Sequence, residues 1–256
     1  MTARRRDTVG SSLDAEARRR RVRELLQVDG FVTLSEAADA LGVSEMTIRR
    51  DLQELELAGV LRRVRGGAIA VGPQLFQRRQ AVAAVAKRVI AHKLLETLPV
   101  KGAVVLDASS TMHRFAADLE DTNLTVVTTG IETFSLLSGR GIHAVLTGGE
   151  LERSTGALVG SAAHRTINDY VFECSYLSST ALSLELGAME STADGAEVKR
   201  IMKAAARRTI LAVDSTKLAM VASARVFDVD EADVLVTELD PSDPELDGYR
   251  SRVELL

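Results

Sequence analysis

Leu34-Ser35-Glu36-Ala37-Ala38-Asp39-Ala40-Leu41-Gly42-Val43-Ser44-Glu45-Met46-Thr47-Ile48-Arg49-Arg50-Asp51-Leu52 reads as two short helices joined by a tight turn. Thr33 and Glu36 have capping-box spacing, which starts the first helix near residue 34. Ala38 is small enough for two helices to cross closely. Gly42 supplies the left-handed conformation that ends the first helix. Ser44 then caps the second. Ile48 and Leu52 are four apart and face a core, while Thr47, Arg49, Arg50 and Asp51 are expected outward. Such a helix fits the major groove of DNA, with its first turn of Ser44, Glu45, Met46 and Thr47 near base edges.

Working outward, Leu55 continues the apolar stripe and Gly59 can end the helix. Val60 to Ile69 then forms two short alternating runs around Gly66-Gly67, the pattern of a β-hairpin. Arg62, Arg63 and Arg65 would make that hairpin a basic wing. A helical hairpin with a solvated charged face is the plain alternative. Upstream, a helix is expected from Asp14 to Gln27, with Val22, Leu25 and Leu26 inward. Its arginines, Arg18 to Arg21 and Arg23, are either a solvated face or phosphate contacts.

Residues 20–70 resemble the winged-helix domain of DeoR-family bacterial transcriptional regulators. The family's Val-Ser-x-x-Thr-Ile-Arg-Arg-Asp-Leu stands here from Val43 to Leu52. Its Gly-x-Leu-x-Arg-x-x-Gly-Gly-Ala stands from Gly59 to Ala68. Arg65 replaces the family's usual His, and its charge favours phosphate contact.

The bulk numbers fit a DNA reader joined to something else. The 256 residues are 46% hydrophobic, enough for one large or two modest domains. Trp is absent and aromatics are 4%, so the core must be aliphatic. The net charge of −4 conceals an asymmetry: residues 1–70 hold 13 basic and 11 acidic side chains, and the remainder 19 and 25. A mildly basic module attached to an acidic one suits a reading unit with a separate sensor. Cys174 stands alone, so no intrachain disulfide forms, in keeping with a cytoplasmic protein. Within Tyr170 to Cys174 it reads as a packed side chain. Arg4-Arg5-Arg6 lacks a following apolar segment, and no apolar run reaches membrane-spanning length. His92, His113, His143 and His164 lack metal-ligand spacing, and neither metal nor cofactor is expected.

The expected organisation is a disordered tail (1–13), a winged helix-turn-helix domain (14–72), a linker helix (73–100) and an α/β effector-sensing and oligomerisation domain (101–256). Residues 76–97 read as one long Ala-rich helix after Val71-Gly72-Pro73. Candidate strands follow at 103–106, 125–127, 144–146, 175–177, 210–213 and 234–236, with helices at 112–119, 131–138, 160–168 and 194–206. This alternation implies a mostly parallel sheet covered on both faces, with ligands at the strands' carboxyl ends.

Polar groups cluster just after those strands. Asp107-Ala108-Ser109-Ser110-Thr111 leads into a helix, where hydroxyls and free amides suit either an anion or simple capping. Thr128-Thr129-Gly130 follows the second strand. Thr147-Gly148-Gly149 either admits a ligand to the backbone or makes a turn. Lys199 lies on a helix, where an isolated lysine is usually solvated. Asp214-Ser215-Thr216-Lys217 places an acid and a base at a strand end.

This order also resembles the DeoR-family sensor domain, which is related in fold to ribose-5-phosphate isomerase. By that resemblance Asp107, Ser109, Ser110 and Thr111 occupy a phosphate loop, and Thr128-Thr129 stands for the family's Thr-Asn. Gly148-Gly149, Val198 to Met202 and Asp214 to Lys217 match directly, whereas Tyr176 to Ala181 departs from Phe-Leu-Gly-x-x-Gly. The resemblance covers about residues 20–240. It implies an operator-binding repressor of carbohydrate-related genes, controlled by a phosphorylated sugar and acting as a dimer or tetramer. Two readings compete: a sugar-phosphate isomerase with a DNA-binding appendage, and a DNA binder whose sensor serves only assembly.

Overall fold

The computed structural model describes residues 8–29, 31–57, 61–64, 66–70, 76–120, 123–152 and 155–256. The chain divides into two units, Met1–Gln74 and Leu75–Leu256.

The first unit runs α1 (Thr8–Asp29), β1 (Phe31–Thr33), α2 (Leu34–Leu41), α3 (Glu45–Leu57), β2 (Leu61–Val64) and β3 (Gly67–Ala70). Helix α1 starts ahead of Asp14, so the backbone of 8–13 is helical where a disordered tail was expected. Extending an existing helix adds one hydrogen bond per residue fixed, which needs no nucleus. Residues 1–7 lie outside the described residues. The capping box at α2 is present: Glu36 N–H donates to Thr33 Oγ1 and Thr33 N–H to Glu36 Oε2, both at 3.0 Å. Gly42 closes the helix at φ 63°, and Ser44 Oγ accepts from Thr47 N–H at 3.3 Å. Ile48, Leu52 and Leu55 meet Val22, Leu26, Ala37, Ala38 and Leu61 in one core. Each such buried aliphatic side chain contributes on the order of 1.5–3 kcal/mol.

Strand β1, which the sequence does not announce, adds a third strand beside the hairpin, in the order β1-β3-β2. Three residues are too few for alternation to register. Gly67 permits the pairing, since a Cβ there would lie 2.1 Å from the Val32 carbonyl oxygen.

The second unit opens with α4 (Phe76–Ala81) and α5 (Ala84–Leu95), where one continuous helix was expected. The break falls at Ala83, at φ 51° and ψ 36°. Lys87 Nζ binds the carbonyls of Arg79 and Val82. In an unbroken helix those carbonyls would accept from residues 83 and 86. Nor is α5 a free-standing connector: Ile90, Ala91 and Leu94 pack into a core with Val104, Leu106 and Phe115.

Then follow β4 (Gly102–Leu106), α6 (Ser110–Asp118), β5 (Leu124–Thr128), α7 (Ile131–Gly139), β6 (Ala144–Leu146), β7 (Glu150–Glu152), β8 (Ala157–Val159), α8 (Ser161–Asn168) and β9 (Phe172–Leu177). The chain continues through β10 (Ala181–Ser183), β11 (Gly187–Glu190), α9 (Ala193–Ala204), β12 (Ala206–Ala212), β13 (Ala224–Phe227), β14 (Val234–Val236), α10 (Asp247–Arg250) and β15 (Glu254–Leu255). Seven strands form a sheet in the order β15-β14-β12-β9-β4-β5-β6. Its pairings are parallel. Alternate residues feed opposite faces: Val104, Val126, Ile210 and Val234 enter one core, and Val105, Val127, Leu211 and Leu235 the other. The small antiparallel pieces, β7–β8 and β10-β11-β13, are among the elements the sequence reading lacks, as are α10 and β15.

The strand order fixes where a ligand can sit. From β4 the chain moves one way, through β5 and β6, and later returns on β4's other side as β9. The carboxyl ends of β4 and β9 therefore flank a topological switch point.

Candidate functional site

In the first unit α3 carries its functional face as the apolar stripe dictates. Ser44, Glu45, Met46, Arg49 and Arg50 are exposed and Thr47 is half-buried. Met46, at 58% exposure, is an apolar group among polar ones, suited to a thymine methyl. Asp51 corrects the expectation that it faces outward. It is 3% exposed and accepts from Arg18 Nε at 2.5 Å and Nη2 at 3.1 Å, with Arg19 at 3.9 Å. Three residues on from Ile48, it lies on the buried side, where a carboxylate requires a cation. Arg18 thus braces α1 against α3 rather than standing as a simple solvated charge. Arg63 is likewise engaged: its Nε meets Glu56 Oε2 at 2.6 Å and its backbone N–H meets Oε1 at 2.8 Å, pinning β2 to α3. The side chain of Arg62 and all of Arg65 lie outside the described residues.

In the second unit Asp107 follows β4 and is 1% exposed. Its Oδ1 accepts from Ser109 N–H at 2.8 Å, and its Oδ2 from Ser178 N–H, after β9, at 2.7 Å. Lys199 Nζ, from α9, reaches the same Oδ2 at 2.7 Å and Glu190 Oε1 at 2.5 Å. It also donates to the Ser178 carbonyl. Lys199 is therefore no solvated lysine; it ties both sides of the switch point together. Burial alone would push the Asp107 carboxyl up, but Lys199 and the converging donors hold it below its ordinary range. Burial likewise opposes charge on Lys199, and the two carboxylates outweigh it and raise its pKa. These groups form a charged brace in which one ammonium serves two carboxylates.

The hydroxyls divide the two open readings of the 107–111 loop between them. Ser109 Oγ caps α6, accepting from Met112 N–H at 3.1 Å. Its φ of −75° makes no demand for the glycine found in the resembling family. Ser110 Oγ donates to the Arg79 carbonyl at 3.0 Å. Thr111 Oγ1 is buried and without a hydrogen-bond partner among the described residues, as are Thr147 Oγ1 after β6 and Ser179 Oγ after β9. Thr128 Oγ1 accepts from Gly130 N–H at 3.1 Å, and the Thr129 carbonyl accepts from Leu158 N–H at 2.8 Å. Gly148 is exposed. Gly149 has a packing reason of its own: at φ 124°, a Cβ would lie 2.3 Å from the Val159 carbonyl oxygen in the β7–β8 hairpin.

Asp214 and Lys217 stand at the end of β12. Asp214 is 1% exposed and accepts from the Thr216 hydroxyl. Lys217 Nζ lies 3.8 Å from Asp214 Oδ2 and 3.3 Å from Ser178 Oγ. Burial lowers the Lys217 pKa despite Asp214. Three groups that sequence reasoning missed belong to the same constellation. Glu190, at the end of β11, holds Lys199 and accepts from Thr180 Oγ1 at 2.8 Å. Lys87, 4% exposed, donates to backbone carbonyls, that of Val82 at 2.6 Å. Burial, reinforced by Lys217, lowers its pKa to about 8. Arg79 donates to the Thr155 carbonyl, and burial lowers its pKa too, against the pull of Asp107 and Glu190. Among the described residues no carboxylate lies within ion-pair distance of Lys87 or Arg79. Lys87 was findable, since Ile90, Ala91 and Leu94 put it on the buried helix face. Nothing local marks Arg79 or Glu190.

The described residues hold no group of His, Cys, Asp and Glu suited to a metal, and no helix long and apolar enough to cross a membrane.

A winged helix-turn-helix unit followed by a parallel α/β unit with a polar switch point defines a ligand-responsive class of DNA reader. The chain belongs to the DeoR family of transcriptional regulators: residues 18–74 match the DeoR-like helix-turn-helix domain and residues 82–239 the DeoR C-terminal sensor domain. It is 31% identical over 226 residues to the HTH-type transcriptional regulator GlpR of Haloferax volcanii, covering 86% of this chain and 89% of that one. It is 31% identical over 241 residues to the HTH-type transcriptional repressor GlcR of Bacillus subtilis, covering 91% and 92%. Ribose 5-phosphate isomerase A of Methanocaldococcus jannaschii shares a partial likeness of shape, with a TM-score of 0.40 and 14% identity over 52% of this chain and 53% of that one.

Proposed function

We propose that this regulator represses carbohydrate-related genes and is released by a phosphorylated sugar bound at the switch point between β4 and β9. One observation carries the reading: Lys87 lies close enough to Lys217 and Arg79 to feel their charge, only Asp214 is near enough to pair with any of the three, and the hydroxyls of Thr111, Thr147 and Ser179 near the strand ends are buried and unpartnered among the described residues. A buried cation met only by carbonyls, and a buried hydroxyl without a partner, are costly unless a ligand meets them. A phosphate supplies the charge, and sugar hydroxyls supply the remaining donors and acceptors. Ser110, Thr111, Lys217 and the backbone from Ser109 would face the anion. Thr128, Thr129, Gly148, Gly149 and Asp214 line the neighbouring strand ends, and Asp107 with Lys199 fixes the frame. Because Asp107, Glu190 and Asp214 are already bonded, none stands ready as a general base, and binding without turnover is the reading we hold for this cytoplasmic protein.

On this reading residues 14–72 form the DNA-binding domain and 101–256 the sensing and oligomerising domain, with α5 of the 73–100 stretch packed into the core of the latter. Ser44 to Thr47, Arg49 and Arg50 address base edges, and Arg62, Arg63 and Arg65 the backbone. One such head covers too few base pairs for specificity, so a homodimer or tetramer acts on paired half-sites. Val85 and Val89, exposed on α5, suit a second copy.

The test pairs calorimetric titration with turnover assays. Phosphorylated pentoses and hexoses should bind saturably without conversion, and the free sugars should not bind. Lys217→Ala should lower that affinity by about 1.5–3 kcal/mol while leaving DNA binding intact. Turnover of any of these compounds, or an equal response to the unphosphorylated sugars, would overturn the reading.

A further inference from the structure

The break between α4 and α5 is built from the same donors that an anion at the crevice would need. Ser110 Oγ donates to the Arg79 carbonyl at 3.0 Å. Lys87 Nζ donates to that carbonyl and to the Val82 carbonyl at 2.6 Å. Two carbonyl dipoles thus occupy a buried ammonium and a hydroxyl at the start of α6. Directly after Val82, Ala83 sits in the left-handed region, at φ 51°, with no side-chain cap for α5. A carbonyl oxygen is a weaker partner for an ammonium than a full anion.

We propose that a phosphate-like anion replaces the Arg79 and Val82 carbonyls on Lys87 and Ser110, and that the freed carbonyls then bond the amides of Ala83 and Ala86, joining α4 and α5 into one helix. The exchange relieves the left-handed alanine and brings the amides of 83–86 into the helical ladder, which now begins with Lys87 N–H on the Ala83 carbonyl, so anion binding and straightening favour each other. It also undoes the docking of α4 on α6, held here by the Ser110 bond and by the edge contact of Phe76 on His113 at 5.0 Å. The Arg79 contact with Thr155 goes with it. Since α4 is the first helix after the reading unit along the chain, the switch reaches the segment that carries that unit. The inference rests on reading the 109–111 loop as an anion site.

The experiment is hydrogen exchange on the full chain with inorganic phosphate as probe. Phosphate should slow the amides of 109–112 and also those of 83–86, which precede the first helical bonds of α5 as it stands. Two variants at the hinge should shift phosphate affinity in opposite directions. Ala83→Gly accepts the left-handed turn and weakens a helix, so affinity should fall about fivefold. Ala83→Val is disfavoured in the turn, so affinity should rise and the 83–86 amides should slow even without phosphate. If Ala83→Val fails to fold, Ala83→Gly and the exchange pattern decide. Slowing at 109–112 alone, with Ala83→Gly binding phosphate like the parent, overturns the switch and leaves the anion site standing. No slowing at 109–112 at any phosphate concentration overturns both.

Discussion

In the reading unit Asp51 enters the core and meets Arg18 at 2.5 Å, while Arg49 and Arg50 remain outside. At the crevice of the second unit the balance is reversed. Lys199 is neutralised by Asp107 and Glu190, yet Lys87 and Arg79 are drawn inward with only carbonyls to meet them. The first unit neutralises its buried carboxylate and leaves cations in solvent for a large external polyanion. The second holds Lys87 and Arg79 inside with carbonyls as partners, and on the proposed reading a small anion meets them there. On that reading, where a cation is held tells which anion it meets.

The sharpest test of this contrast removes the cation from the Asp107–Lys199–Glu190 brace. Lys199→Met leaves Asp107 and Glu190 buried without their cation and should cost about 3–5 kcal/mol of stability in the second unit, read by chemical denaturation. A smaller loss would mean the brace is wetter than its burial indicates. Asp51→Ala is the counterpart in the reading unit. Arg18 keeps 20% side-chain exposure and can rehydrate, so the loss should be nearer about 2 kcal/mol, with DNA affinity falling as α1 loosens from α3. If Asp51→Ala proves as costly as Lys199→Met, the two units do not differ in this respect.

The outward arginines come next. Arg49→Ala or Arg50→Ala should weaken operator binding by about 1–3 kcal/mol and relax preference at one base if the lost contact is bidentate to guanine. Unchanged affinity in folded variants would remove these residues from the reading surface.

Lys87 offers a pH test. Its pKa in the folded chain is about 8, below the ordinary 10.5. Between those values the unfolded chain holds more protons, so Lys87 detracts from stability fully below pH 8 and progressively less as pH rises towards 10.5. The parent should therefore gain stability relative to Lys87→Met across that window. Lys217 and Arg79 hold the Lys87 pKa down and Asp214 holds it up, so those three must be intact in both proteins. An anion that pairs with Lys87 should bind more weakly above pH 8 and take up a proton on binding. A stability difference flat in pH would show that Lys87 is not strained by burial. The smallest effect is expected at Arg63→Ala. Its pair with Glu56 is largely exposed and should contribute about 0.2–1 kcal/mol.

Sequence patterning gave the periodic parts reliably. The turn at Gly42, the stripe of Ile48, Leu52 and Leu55, and the strands from Val104 and Val126 all follow from spacing that repeats. Asp51 departs from the rule that charge faces outward because position 51 lies on the buried side of α3, where Arg18 meets it. Strands β1, β7 and β10 were too short to carry a pattern. The crevice was half legible. Asp107, Ser110, Thr111 and Lys217 follow strands directly, and the strand-end rule finds them. Glu190 arrives through an antiparallel strand, whose cause is pairing between distant residues, and Arg79 through a helix break. Lys87 causes the break itself, by competing for carbonyls that helix propensity assigns to the backbone.

The sheet order has a consequence for the chain as it is made. Contacts of the reading unit's core span Val22 to Ala68, whereas β4 must wait for β9, and β9 for β12. Ser178, bonded to Asp107, lies 71 residues downstream of it. Synthesis from the amino end thus delivers a complete reading core well before the middle of the parallel sheet can close. A ribosome that stops anywhere in that interval releases a chain whose reading core has all its parts and whose parallel sheet does not.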